Sequence, residues 1–164
     1  MGLFAFIKEA GEKLFGKGEA HAAQEAAKQN PSAENVKRLN DAAGDAIKTY
    51  IEALGLTATG LTVTYADATA TVYGVAPDQK TKEKIILSAG NVEGVASVVD
   101  QMSVDQSEPE ATFYTVVKGD NLSKIAKAHY GDANKYPVIF EANKPMLTHP
   151  DKIYPGQVLR IPPL

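Results

Sequence analysis

The 164-residue chain contains no cysteine. That one absence excludes disulfides, thiolate metal ligands and cysteine nucleophiles together. It has only two arginines, Arg38 and Arg160, so the planar forks that grip phosphate are scarce. Positive charge is short overall: 17 Lys and Arg stand against 20 Asp and Glu, for a net charge of −3. Binding to duplexes displaces counterions with a basic stripe, so nucleic acid is not expected as a partner. No stretch approaches the roughly 18 consecutive apolar residues of a membrane-spanning helix. No Lys or Arg precedes the apolar stretch that ends at Ile7, so the charged start of a secretory signal is missing. Phe6 stands where a myristoylation pattern wants Ser or Thr. A cytoplasmic protein is the expectation. The chain also lacks a G-x-S-x-G elbow, a phosphate loop and a G-x-G-x-x-G turn. There is no calcium-loop pattern, and His21, His129 and His149 have no neighbouring ligand for zinc. Asp100 with Asp105, and Glu108 with Glu110, read as solvated surface rather than as a two-carboxylate site. The chain is therefore expected not to be an enzyme.

What is present is enough apolar residue, 44%, to build buried cores, in a length that suits one ordinary domain or two small ones. Leu3, Phe4, Phe6, Ile7, Ala10 and Leu14 lie at helical spacing, which predicts a short helix over 3–15. Its mixed Lys and Glu face favours docking on the protein over lying on a membrane. Residues 19–35 are a polar insertion, either a solvated helix or a linker. Ser32, with Asn35 three residues on, predicts a helix start. Leu39, Ala43, Ile47, Tyr50, Ile51 and Leu54 form that helix's apolar face, and Gly55 ends it. The period then changes to two: Leu61, Val63 and Tyr65, then Ala70 and Val72, predict a hairpin turning near Asp67. Asp78 caps a helix that carries Ile85, Ile86 and Ala89 and stops at Gly90-Asn91. Val95, Val98, Val99 and Met102 predict a third strand.

Asp105 to Ala111 is acidic and holds a proline, which marks a linker. Beyond it come a strand at Phe113–Val117 and a helix capped by Asp120 or Asn121 and closed by Gly131. A second helix has Pro137 in its first turn, followed by a type II turn at Tyr154-Pro155-Gly156-Gln157 and a closing strand. The fold class is α+β in two small domains: αββαβ over 36–105 and βααβ over 113–164. A 1–18 helix precedes them, and residues 106–112 link them.

The segments Tyr-Thr-Val-Val-Lys-Gly-Asp-Asn-Leu-Ser-Lys-Ile-Ala (114–126) and Ile-Tyr-Pro-Gly-Gln-Val-Leu-Arg-Ile-Pro (153–162) closely resemble the LysM family. LysM modules bind glycans that contain N-acetylglucosamine. Asn121 and Ser123 depart from the Thr and Trp often seen there. Ala-Thr-Val-Tyr-Gly (70–74) and Gly-Val-Ala-Ser-Val-Val-Asp (94–100) resemble a BON domain. The pairing resembles the cytoplasmic potassium-binding family of enteric bacteria. That match extends to the opening Met-Gly-Leu-Phe, to Ala-Gly-Asn-Val-Glu-Gly-Val-Ala-Ser-Val (89–98) and to Phe-Glu-Ala-Asn-Lys-Pro-Met-Leu (140–147).

The resemblance implies a monomeric protein that senses or buffers K⁺, with Rb⁺ and Cs⁺ as further candidate occupants and the ion favouring a compact arrangement. Large, weakly hydrated K⁺ suits neutral main-chain carbonyls, which are free at helix C-termini. Aligned with the family's motifs, the main-chain oxygens of Ile7, Ala10, Glu12, Gly90, Val92 and Val95 are the candidate ligands. Glycan binding through the LysM module is the alternative.

Overall fold

The computed structural model describes residues 2–164. Met1, at the head of the expected 1–18 segment, lies outside them. The expected N-terminal helix is not formed. Gly2–Ala5 is instead a strand, β1, and residues 6–17 are loop and turn. The same apolar residues satisfy a period of two, with Phe4 turned inward, Phe6 buried and Leu3 facing out. A 13-residue helix carrying an internal glycine is marginal alone, whereas a strand edge offers ready-made backbone partners.

That edge is β4, Ser97–Gln106. β1 pairs with it antiparallel, Leu3 opposite Val99. The polar insertion is helix α1, Gly18–Gln29. It lies against α2, Ala33–Ala53, through the buried methyls of Ala20 and Ala23. Ser32 caps α2 as its sequence predicts, its Oγ accepting the Asn35 N–H at 3.1 Å. The hairpin strands are β2, Thr59–Ala66, and β3, Thr69–Asp78. They turn through Asp67 and Ala68, both at positive φ. Asp78 then caps α3, Gln79–Gly90, by accepting the Thr81 N–H at 2.7 Å. Because α3 carries the chain back across the sheet, β4 can run parallel to β3. The sheet order is β1-β4-β3-β2.

Ile47 and Ile51 of α2, and Ile85, Ile86 and Leu87 of α3, bury their side chains with Leu61, Val63, Val72, Val98 and Met102 of the sheet.

The second domain is small. β5, Thr112–Thr115, pairs antiparallel with β6, Val158–Ile161. Between them run α4, Leu122–Tyr130, and α5, Tyr136–Ala142. Asn121, one of the two predicted caps, accepts the Lys124 N–H at 2.8 Å. Val116, Leu122, Ile125, Ile139, Leu147 and Leu159 fill its core. Val158 is buried with the core of the first domain, and Met146 packs against both cores. The domains are docked.

Candidate functional site

The loop between β1 and α1 crosses the end of α3, and the backbone itself ties the two together. Phe6 N–H donates to Ala96 O at 2.9 Å, and Gly94 N–H donates to Lys8 O at 2.7 Å. Glu12 N–H donates to Asn91 O at 2.9 Å, and Glu93 N–H returns to Glu12 O at 2.9 Å. The last two bonds form a parallel bridge between Glu12 and Val92. Two glycines permit this approach. A Cβ on Gly11, whose φ is +116°, would sit 2.5 Å from the Asn91 carbonyl. A Cβ on Gly90 would sit 2.0 Å from the Phe6 ring.

Of the six candidate ligands, Gly90, Val92 and Val95 are buried in the turn. Ala10 is half-buried, and Ile7 and Glu12 are exposed. The fold brings the two triplets together, although they are some eighty residues apart in sequence. The Ile7–Glu12 carbonyls are not those of a helix end, as the sequence predicted, but belong to an irregular loop. Ile7 O and Val92 O each accept one backbone N–H, leaving a second lone pair on each, whereas Glu12 O already accepts two, from Leu14 at 3.0 Å and Glu93 at 2.9 Å. Gly94, the residue that would continue helical bonding to Gly90 O, donates to Lys8 instead. The donor set is neutral oxygen, which fits a large monovalent cation.

The second domain touches this loop at Ile7 and Ala10. Its predicted turn forms, with Gln157 N–H donating to Tyr154 O at 3.1 Å and Gly156 at φ +89°. Gly156 lies so close that a Cβ there would be 2.7 Å from Ala10 Cβ and 3.4 Å from Ile7 Cβ. Burial pushes the Tyr154 phenol up to about 12, and the Glu12 carboxylate adds to the shift. Tyr50 of α2 is raised by burial first, then by Glu12 and Tyr154.

The residues that join the domains were not given that role from the sequence, although Asn91, Asn143 and Arg160 lie within the quoted motifs. Asn91 Nδ2 donates to Val158 O at 2.7 Å, and its Oδ1 accepts Val158 N–H at 2.8 Å. Asn143 does the same for Arg160 from within the second domain, at 2.9 and 2.7 Å. Two side-chain amides thus take the place of a third strand along the free edge of β6. The Arg160 guanidinium pairs with Glu83 of α3 at 2.8 Å, with side chains only 8% and 6% exposed. Glu83 also accepts the Ala111 N–H at 2.8 Å, which holds the linker down. Phe4 and Phe113 pack with ring centroids 5.0 Å apart. Asp100, read from sequence as solvated, is buried instead. It pairs with Lys82 at 3.0 Å and accepts the Met102 N–H at 2.8 Å.

Family models match at residues 40–106 for the BON domain and at residues 114–162 for the LysM domain. The chain is 44% identical over 163 residues to the potassium binding protein Kbp of Escherichia coli, covering 99% of each chain. An uncharacterized protein of Deinococcus radiodurans is 45% identical over 69 residues, 42% of this chain and 26% of that one. A Mycobacterium tuberculosis protein named as an esterase is 49% identical over 53 residues, 32% of this chain and 11% of that one. Paired domains in this order, and likeness along the whole length of one relative, place the chain in the family of the potassium binding protein Kbp.

Proposed function

We propose that the chain is a cytoplasmic, monomeric, non-enzymatic K⁺-binding protein that serves as a sensor or buffer. Main-chain oxygens of Ile7, Ala10, Glu12, Gly90, Val92 and Val95 hold the ion, and Rb⁺ or Cs⁺ can replace it. The observation that carries this reading is the backbone bridge of the 6–12 loop to the 90–95 turn, Glu12 against Val92. It joins two segments some eighty residues apart, each of which offers neutral main-chain oxygens. An ion spanning both segments favours the state in which they are joined, and that state is the one on which the LysM turn rests. Its effect is limited to the difference in affinity between the joined and separated states.

The test is a titration of the full chain with K⁺, Rb⁺, Cs⁺ and Na⁺, read by calorimetry and small-angle scattering. Binding and compaction with K⁺ but not with Na⁺ is the expected result. Equal response to both ions, or to neither, overturns the reading. The LysM match keeps glycan recognition as a second reading, tested by adding peptidoglycan fragments to the full chain. Saturable glycan binding that leaves K⁺ without effect would favour it.

A further inference from the structure

We propose that Asn91 is the positioning residue through which the ion turn and the LysM domain sense each other. The inference rests on the K⁺ reading above and adds the route of coupling. Asn91 lies between Gly90 and Val92, two of the candidate ligands, and is 3% exposed. Its main chain is fully engaged on the BON side: N–H to Leu87 O at 2.9 Å, and C=O from Glu12 N–H at 2.9 Å. Its side chain is engaged on the LysM side, with two hydrogen bonds to Val158 and a third from Nδ2 to Met146 Sδ at 3.4 Å. A residue that merely ends α3 needs only the first of these. The reach to a residue 67 positions away is what a domain clasp requires.

The energetics favour an all-or-none response. When docked, Val158 N–H and C=O are buried and need a partner, and the Asn91 amide is that partner. A hydrogen bond of this length tolerates displacement of only a few tenths of an ångström before it weakens. An ion that fixes the 90–95 turn therefore also fixes the amide that β6 needs. Gly156 resting on Ala10 and Ile7 gives the same turn of LysM a second contact with the ion loop. By linkage, whatever docking does for the ion, the ion does for docking.

The experiment uses the full chain and the variants Asn91→Ala and Glu83→Gln. Glu83→Gln loosens the same interface at Arg160 without touching the turn. K⁺ affinity is measured by calorimetry, and exchange of the Val158 amide proton by NMR with and without K⁺. In the unmodified chain, K⁺ slows exchange at Val158. Asn91→Ala is expected to weaken K⁺ binding about tenfold, within the usual 5–150-fold span of such couplings, and to remove the effect of K⁺ on Val158. Glu83→Gln is expected to weaken K⁺ binding several-fold. Unchanged affinity in Asn91→Ala overturns the proposal. So does weakening by Asn91→Ala with none by Glu83→Gln, since the effect would then be local to the turn. No K⁺ response in the unmodified chain would instead strike down the ion reading itself. Should Asn91→Ala fail to fold, Asn91→Asp keeps the acceptor for Val158 N–H and sets a carboxylate against Val158 O, with the same outcomes expected.

Discussion

Replacing Gly90 by alanine sets two quantifiable effects against each other. Gly90 is the last residue of α3, where alanine is favoured over glycine by about 1 kcal/mol in a helix interior and by less at its end. Against this, the added methyl would lie 2.0–2.2 Å from three atoms of the Phe6 ring. No real contact is that short, and the far end of a side chain can move, so the Phe6 ring must leave its seat. Phe6 is 8% exposed, and turning it out to water forfeits about 1.5–3 kcal/mol of burial. The clash wins. A net loss of about 1–2 kcal/mol is expected, or a fall in Tm of about 2–8 °C for a chain of this size. The 6–12 loop should detach with its anchor, so K⁺ should no longer shift the midpoint of urea unfolding. A double-mutant cycle isolates the cause. With Phe6→Ala already made, Gly90→Ala should become neutral or stabilising, because only the helical preference remains. If Gly90→Ala is as stable as the parent, or costs as much without Phe6, the ring does not hold this loop and the reasoning fails.

Asn143→Ala strands Arg160 N–H and C=O inside the LysM domain, and should cost about 2–4 kcal/mol in urea unfolding with no dependence on K⁺. Asp78→Ala removes the cap of α3 and should cost about 1 kcal/mol by the same assay. The hydrogen bonds from Thr81 hold the Asp78 carboxyl below its usual range, and those from Tyr114 and Val117 do so for Asp120. Both carboxylates are favoured in the folded state, so their stabilisation is complete above the unfolded pKa. It is lost as pH falls through the lowered folded values, and a thermal-melt series across and below pH 4 should show the decline. On the alkaline side, Tyr154, pushed up to about 12, and Tyr50 are favoured as neutral phenols when folded. Their contribution is complete below pH 10 and fades as pH rises through the folded values. An absorbance titration should therefore find fewer than the chain's seven tyrosines ionised at pH 11 before unfolding.

Much of the architecture was legible because its signals are local. Ser32, Asp78 and Asn121 cap their helices with side-chain oxygens three residues from the amides they accept. Pro155-Gly156 makes its turn with the φ that only glycine adopts cheaply. The first fifteen residues misled because their apolar spacing fits periods of both 3.6 and 2. Their own composition cannot choose between the two. The choice fell to the open edge of β4, about a hundred residues away in sequence. The candidate carbonyls were named from family likeness; of the two helix ends assigned to them, the one at Gly90 forms and the one at Gly11 does not. Every backbone has carbonyls, so no side-chain pattern marks which of them could hold an ion.

From Ser32 onward the sequence by itself determined the order and kind of the main elements, and throughout it determined the exclusion of thiol chemistry, since each follows from residue type and short-range spacing. Only the tertiary structure decided that β1 is a strand, that Asp100 is buried against Lys82, and that Asn91 and Glu83 reach across to β6. These depend on which surfaces meet. An asparagine after a helix carries the same local signal whether it ends the helix or clasps another domain. The difference lies in a partner 67 residues away, whose unpaired backbone groups exist only because β6 is the edge of a two-stranded sheet.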